Sequence, residues 1–220
     1  MAEKLACVYT AVAGSYDPLR EHPEIPGVDW IAFTDSTLGA VVDAGWELRP
    51  ILGNANSPRM LAKWYKVHPN ECLPDYDRTV WVDASVELHT GDVIRQMLEA
   101  SESTGLAMLA HPERDCIYEE AIASLDMPKY QDQPLLQQVA WYRRMGHPTH
   151  WGLWAGTIIG RDNRSEALMR LWWREILNWS YQDQLSLPQV LRISGSRVET
   201  VGGDLYHSPS FQVHFQPEAR

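Results

Sequence analysis

The chain has 220 residues, a hydrophobic fraction of 45% and a formal net charge of −10. That length and apolar content suit one substantial core, so a single domain over 1–220 is expected. Such an acidic balance repels a nucleic-acid duplex, and nucleic acid is set aside as a partner.

No segment approaches the roughly 18 apolar residues of a membrane span, which leaves peripheral association through a partner as the membrane option. The opening MAEKLACVYTAVAGSYD has too short an apolar stretch for a secretion signal. With its Met start, this points to a cytoplasmic chain with nothing upstream. Cys7, Cys72 and Cys116 have neither zinc spacing nor a disulfide framework and read as reduced thiols. Most of the ten tryptophans read as core packing.

In chain order, LACVYTAV reads as a buried strand ending near Thr10, and GSYDP as a turn. DWIAFTD is a second strand ending at Asp35, and GWELRPI a third. SPRMLAKWYKVHP reads as a helix, with Ser57 as N-cap and Pro58 at the first helical position. TVWVDASVEL is the next strand, followed by the helix GDVIRQMLEAS and the strand GLAMLAH, ending at His111. RDCIYEEAIASL and QPLLQQVAWYRRMG read as helices, GLWAGTIIGRDN as a strand and turn, and SEALMRLWWREILNW and DQLSLPQVLRIS as helices. The tail holds short strand-like pieces with His207 and His214.

Strands alternating with helices predict an α/β fold, a Rossmann-like, mostly parallel sheet flanked by helices. Ligands of such sheets sit beyond the carboxyl ends of the strands, where Thr10, Asp35, Asp83 and His111 are expected. Asp83, closing an apolar strand, suits a divalent cation or, equally, a turn cap. Ser85 and Glu87 follow at two and four positions, and Glu87 would share the face of Asp83 if the strand continued.

Arg59, Lys63 and Lys66 share one helical face, which suits either an anion such as a phosphate or plain solvation. Asp183 and Gln184 open a helix, where the aspartate is either an N-cap or a carboxylate beside a reacting centre. Of the adjacent Glu119 and Glu120, at most one can face a given site. P-loop, GxGxxG, GxSxG and HExxH motifs do not occur.

The ordered set VYTAVAGSYDPL, DWIAFTD, RMLAKWYKVHP, VWVDASVEL, RDCIYEEA, GLWAGTIIGRDN and QDQLSLPQVL resembles a glycosyltransferase-like family long catalogued as a domain of unknown function. That family includes bacterial polysaccharide-cluster proteins and plant proteins tied to mucilage and pectin. The resemblance covers nearly the whole chain and implies a GT-A-type fold. It also implies a transferase moving a hexose from a nucleotide sugar, UDP-linked, to a glycan or lipid-linked acceptor.

In such enzymes a strand-end DxD motif holds Mn2+ or Mg2+ and the diphosphate. Asp83 matches the first carboxylate, while Ser85 stands where the second would be. The resemblance then assigns the metal to Asp83, Ser85 and His214. It implies donor binding by Thr10, Asp35, Arg59, Lys63 and Asp83, and a retaining-type DQ pair at Asp183 and Gln184 near the anomeric carbon. Trp154 and Glu120 would face the acceptor. A carboxylate can stabilise oxocarbenium character, and Asp183 is the residue this implies; in an inverting enzyme a carboxylate would instead deprotonate the acceptor hydroxyl, and the sequence leaves both mechanisms open. The alternative is a non-catalytic nucleotide- or sugar-binding module on the same fold, favoured by Ser85.

Overall fold

The computed structural model describes residues 6–14, 18–35, 45–52 and 57–214. The expected GSYDP turn lies mostly outside these residues.

The first strand, β1 (Ala6–Val12), is buried along its whole length and runs two residues past Thr10. It pairs in parallel with β2 (Val28–Thr34) on one side and with β4 (Arg78–Val82) on the other. The short β3 (Glu47–Pro50) adds to β2, also in parallel. On the far side of β4 lies β7 (Trp154–Asp162), antiparallel to it, then β6 (Leu106–Ala110) and β8 (Glu199–Val201). The resulting seven-stranded sheet has the order β3-β2-β1-β4-β7-β6-β8, parallel but for β7. This is the mixed α/β architecture that the alternation of elements predicts.

Both faces of the sheet are covered, which explains the near-continuous apolar runs of its central strands. The alternation of side chains sorts those runs. Ala6, Val8, Val80 and Val82 face a core shared with Ile94 and Met97 of helix α3 (Asp92–Thr104). Cys7, Tyr9 and Trp81 face a second core. That core is shared with α1 (Pro58–Val67), α6 (Glu166–Asn178) and α7 (Asp183–Ser194). Between α1 and β4 the chain forms one short helix, α2 (Pro69–Cys72). Gly160 on β7 is the close approach: a Cβ there would lie 2.5 Å from the Met97 carbonyl oxygen. A third core joins α4 (Ile117–Leu125) and α5 (Leu135–Arg144) through residues such as Tyr118, Leu135 and Leu153.

The expected strand TVWVDASVEL is two strands rather than one. β4 stops at Val82, and the Val86 N–H bonds the Asp83 carbonyl at 2.9 Å, closing a turn. The chain then enters β5 (Val86–Leu88), which leaves the main sheet and pairs antiparallel with β9 (Phe211–Val213). Glu87 therefore does not continue the face of Asp83. The β5–β9 ribbon instead brings the C-terminal tail back beside the turn, where the His214 N–H donates to the Ser85 carbonyl at 2.8 Å.

All three cysteines are free. No described helix is long and apolar enough to cross a membrane.

Candidate active site

A cavity of about 560 Å3 opens beyond the carboxyl ends of β1 and β4. Ala11, Val12 and Ala13 form its floor on the β1 side, and Trp81, Asp83, Ala84 and Ser85 on the β4 side. The Ser57 cap and one face of α1, from Pro58 and Arg59 through Ala62 and Lys63 to Lys66 in its last turn, line the cavity as well. Lys129, Tyr181 and His214 complete the wall.

Local sequence explains why α1 begins here. Ser57 has extended backbone and its hydroxyl accepts the Met60 N–H at 3.1 Å, with Pro58 fixing the first helical φ. The other end of α1 is anchored by a buried cation. Arg161 on β7 is fully buried and donates to the Tyr9 hydroxyl at 2.5 Å and to the Lys66 carbonyl. The Tyr9 hydroxyl in turn donates to the Tyr65 and Lys66 carbonyls. A guanidinium at a helix C-terminus meets the negative end of the helix dipole, so Arg161 holds the backbone from which Lys66 projects.

Four basic side chains line the cavity: Arg59, Lys63, Lys66 and Lys129. Two of them converge on one carboxylate oxygen. Asp183 Oδ2 lies 2.5 Å from Lys63 Nζ and 3.0 Å from Lys66 Nζ. The side chains of Asp183 and Lys66 are 5% and 4% exposed. Burial alone would raise the Asp183 carboxyl, but the two ammonium groups overcome it and hold the group far below the usual carboxylate range. Burial pushes Lys63 down to about 8, with Asp183 pulling back only in part and Lys66 adding to the fall. Lys66 goes the other way: burial works against its charge, but Asp183 and Asp83 outweigh it and raise its pKa. Burial also lowers Lys129, with Arg59 next to it in effect.

Asp183 is thus not an N-cap. Gln182 holds that position, and Asp183 is the first helical residue, its side chain turned to the lysines. It lies beneath the cavity lining rather than in it. Gly156 on β7 makes room for this cluster, since a Cβ there would stand 2.9 Å from Lys66 Nζ and 3.5 Å from Asp183 Oδ2.

Asp83 is the carboxylate that does line the cavity. Its backbone N–H is tied to the Thr157 carbonyl at 2.9 Å. Its Oδ1 accepts the Trp81 indole N–H at 2.6 Å and lies 3.5 Å from Lys66 Nζ. The Trp81 ring also sits 5.9 Å from the Lys66 ammonium, within cation–π range.

The structure brings Asp83, Ser85 and His214 to the lining of one cavity, together with Arg59 and Lys63. It places other expected residues elsewhere. Thr10 is buried and borders a separate void of about 10 Å3 with Arg20, Trp46 and Asp83. Asp35 accepts the Gly14 N–H at 2.6 Å, tying the chain after β1 to the end of β2. Gln184 donates weakly to the Trp154 carbonyl at 3.4 Å, and the Trp154 indole donates to Thr200 at 3.0 Å. Glu120 is buried away from the cavity. It accepts from Arg114 at 2.7 Å, Gln182 at 2.9 Å and Ser124 at 3.3 Å, and His111 Nε2 lies 3.4 Å away. His207 is exposed and pairs with Asp204 at 3.0 Å.

The expected Mn2+ or Mg2+ can be tested on the donor atoms. Such cations take several oxygen ligands, chiefly carboxylates, with an imidazole for Mn2+. Here one oxygen of Asp83 is already taken by Trp81, with an ammonium beside it. The His214 Nε2 is bonded to Glu87 at 2.7 Å. Ser85 offers a neutral hydroxyl. Among the described residues, the group of three metal-type side chains gathered in one place is Cys116, Glu119 and His150, which is not at this cavity. There the His150 Nδ1 is already bonded to Asp115 at 2.6 Å, an ion pair at the start of α4. The residues at the cavity do not fit a divalent-metal site.

Lys129, Tyr181, Trp81, Gly156 and Arg161 carry parts of this geometry that sequence reading did not single out. Gly156 had a signal: a glycine inside a strand often marks a close approach. Lys129, alone in MPKY, had none.

Comparison with known proteins gives a family and a structural likeness. The family described as TOD1/MUCI70, glycosyltransferase-like domain, matches residues 56–201. No curated protein matches the chain. The apo structure of WbbM, a bifunctional glycosyltransferase, superposes with a TM-score of 0.45 at 10% identity, over 91% of this chain. The chain spans 39% of the length of that structure. The matched segment runs from the residue before the Ser57 cap through β8, and so includes α1, Asp83 and the Asp183 cluster. The chain belongs to the TOD1/MUCI70 glycosyltransferase-like domain family.

Proposed function

We propose that this chain transfers a hexose from a nucleotide sugar, of the UDP-linked class, to a hydroxyl of a glycan or lipid-linked acceptor. The observation that carries the reading is the cavity at the carboxyl ends of β1 and β4. It gathers Arg59, Lys63, Lys66 and Lys129 around one lining carboxylate, Asp83, in a chain whose net charge is −10. Such a concentration of cations against the overall charge suits a diphosphate. Family membership supports the reaction class.

In the transfer, the bond from the anomeric carbon to the diphosphate oxygen breaks, and its electron pair leaves with the nucleotide. The acceptor oxygen bonds the anomeric carbon, and its proton passes to the departing diphosphate oxygen. Charge develops on the leaving oxygen, and cations already in place stabilise it without reorganising. Positive character develops at the anomeric carbon. Asp83, which lines the cavity with its Oδ1 held by Trp81, is the carboxylate we assign to that charge. Asp183 acts one layer below: it keeps two like-charged lysines side by side.

The test is nucleotide release from a panel of UDP- and GDP-linked hexoses. Turnover of one donor, lost on Asp83→Asn, supports the reading. Binding of UDP with no cleavage of any donor, even with acceptor glycans added, would make the chain a binding module. Failure to bind any nucleotide would end it.

A further inference from the structure

Resting on that reading, the inference concerns what neutralises the leaving diphosphate. We infer that Lys66, backed by Lys63, Lys129 and Arg59, takes the place of a divalent cation, so that donor binding and transfer need no metal.

Three independent features of the chain converge on Lys66. The first is position. Its ammonium lies 3.5 Å from Asp83 Oδ1, beside the strand-end carboxylate that a metal would use. A metal bound to that oxygen would have to displace both the ammonium and the Trp81 N–H, and would meet a neutral Ser85 in return.

The second is rigidity. A flexible lysine on a surface is a poor substitute for a metal, because its charge must be ordered at each turnover. Lys66 is not of that kind. Its side chain is 4% exposed and its Nζ is held 3.0 Å from Asp183. Its carbonyl is held by the buried Arg161 and by Tyr9, and Gly156 supplies the space for its tip. Charge fixed in a dry setting before the reaction is what transition-state stabilisation requires.

The third is charge balance. The lining carries Arg59, Lys63, Lys66 and Lys129 against Asp83. Asp183, beneath the lining, pairs with two of the lysines and holds them in place. The diphosphate of a sugar nucleotide carries two negative charges, which basic side chains gathered in this way can meet without a divalent cation.

The experiment measures UDP and uridine binding by titration calorimetry, first in chelator and then with saturating Mn2+, on the intact chain. The difference between UDP and uridine isolates the diphosphate. We expect UDP to bind in chelator, and Mn2+ to change its affinity less than about threefold. Lys66→Met should weaken UDP by about tenfold or more while uridine is held as before. Because a buried lysine can be needed for folding, Lys129→Met, nearer the rim, serves as the second variant, with an expected loss of about threefold or more for UDP alone. A Mn2+-dependent gain of about tenfold or more in UDP affinity, abolished by Asp83→Asn, would overturn the inference and leave the transferase reading standing. UDP affinity that is indifferent to both lysine variants would also overturn it. Absence of nucleotide binding in either buffer would remove the transferase reading itself, and this inference with it.

Discussion

Replacing Asp183 with Asn removes one charge while keeping the shape of the side chain, and the consequence can be worked from the geometry. Lys63 Nζ and Lys66 Nζ touch the same oxygen at 2.5 and 3.0 Å. The two nitrogens are therefore within about 5.5 Å of each other, and at an effective dielectric of ~20 two unit charges at that distance repel by about 3 kcal/mol. In the native chain the carboxylate between them more than offsets this. Removing one partner of a buried ion pair costs about 3–5 kcal/mol by general experience, which agrees in size. For a chain of this length a loss of about 3 kcal/mol lowers the melting temperature by roughly 6–12 °C.

The penalty should also depend on pH. Lys63 has a folded pKa pushed down to about 8, below the ~10.4 of an unfolded lysine. Between those values the unfolded state holds more protons, so this group makes stability rise with pH across that window. In Asp183→Asn the attraction that partly sustained the charge is gone, and the repulsion with Lys66 is relieved once Lys63 is neutral. Urea melts at pH 7 and at pH 9.5 should show the penalty falling from about 3 kcal/mol to about half of that. A variant as stable as the native chain at pH 7, or a penalty that grows with pH, would refute the account of the cluster.

Other consequences follow from the same site. UDP affinity should fall as pH rises through about 8, where Lys63 loses its charge, and titration calorimetry across that range reads it. Gly156→Ala places a Cβ 2.9 Å from Lys66 Nζ. It should weaken UDP by at least about threefold and cost about 1–3 kcal/mol in stability, because the tip it meets is held in a buried ion pair and cannot swing clear. Gly160→Ala meets backbone instead, with a Cβ 2.5 Å from the Met97 carbonyl oxygen. Forced separation of α3 from β7 should cost about 1–3 kcal/mol in urea melts. Glu120→Ala leaves Arg114, Gln182 and Ser124 without their shared acceptor. It should destabilise by about 3 kcal/mol at neutral pH.

Much of the fold was legible because local pattern carried it. Both-face burial wrote apolar runs into β1, β2 and β4, and SP at 57–58 announced the start of α1. The convergence of Lys63 and Lys66 on one helical side was legible from their spacing alone. What they converge on was not. Asp183 lies 120 residues from Lys63, and nothing in the DQLSLP segment separates a helix N-cap from a buried counter-ion. The same holds for the β5–β9 ribbon. VWVDASVEL has the alternation of one strand, and only pairing with residues near the C-terminus shows that it breaks at Asp83. Glu120 had the opposite problem: its adjacency to Glu119 drew attention as chemistry, while the fold uses it to brace Gln182 beside the Asp183 cluster.

The measurement that bears most directly on the central claim is nucleotide release from UDP- and GDP-linked hexoses by the native chain and by Asp83→Asn, with UDP binding recorded in parallel. The account predicts turnover of one donor class by the native chain. It predicts a loss of about a hundredfold or more in the variant, the scale of removing a group that stabilises developing charge. Release that is undiminished in Asp83→Asn, or a native chain that neither binds UDP nor cleaves any donor, would contradict it.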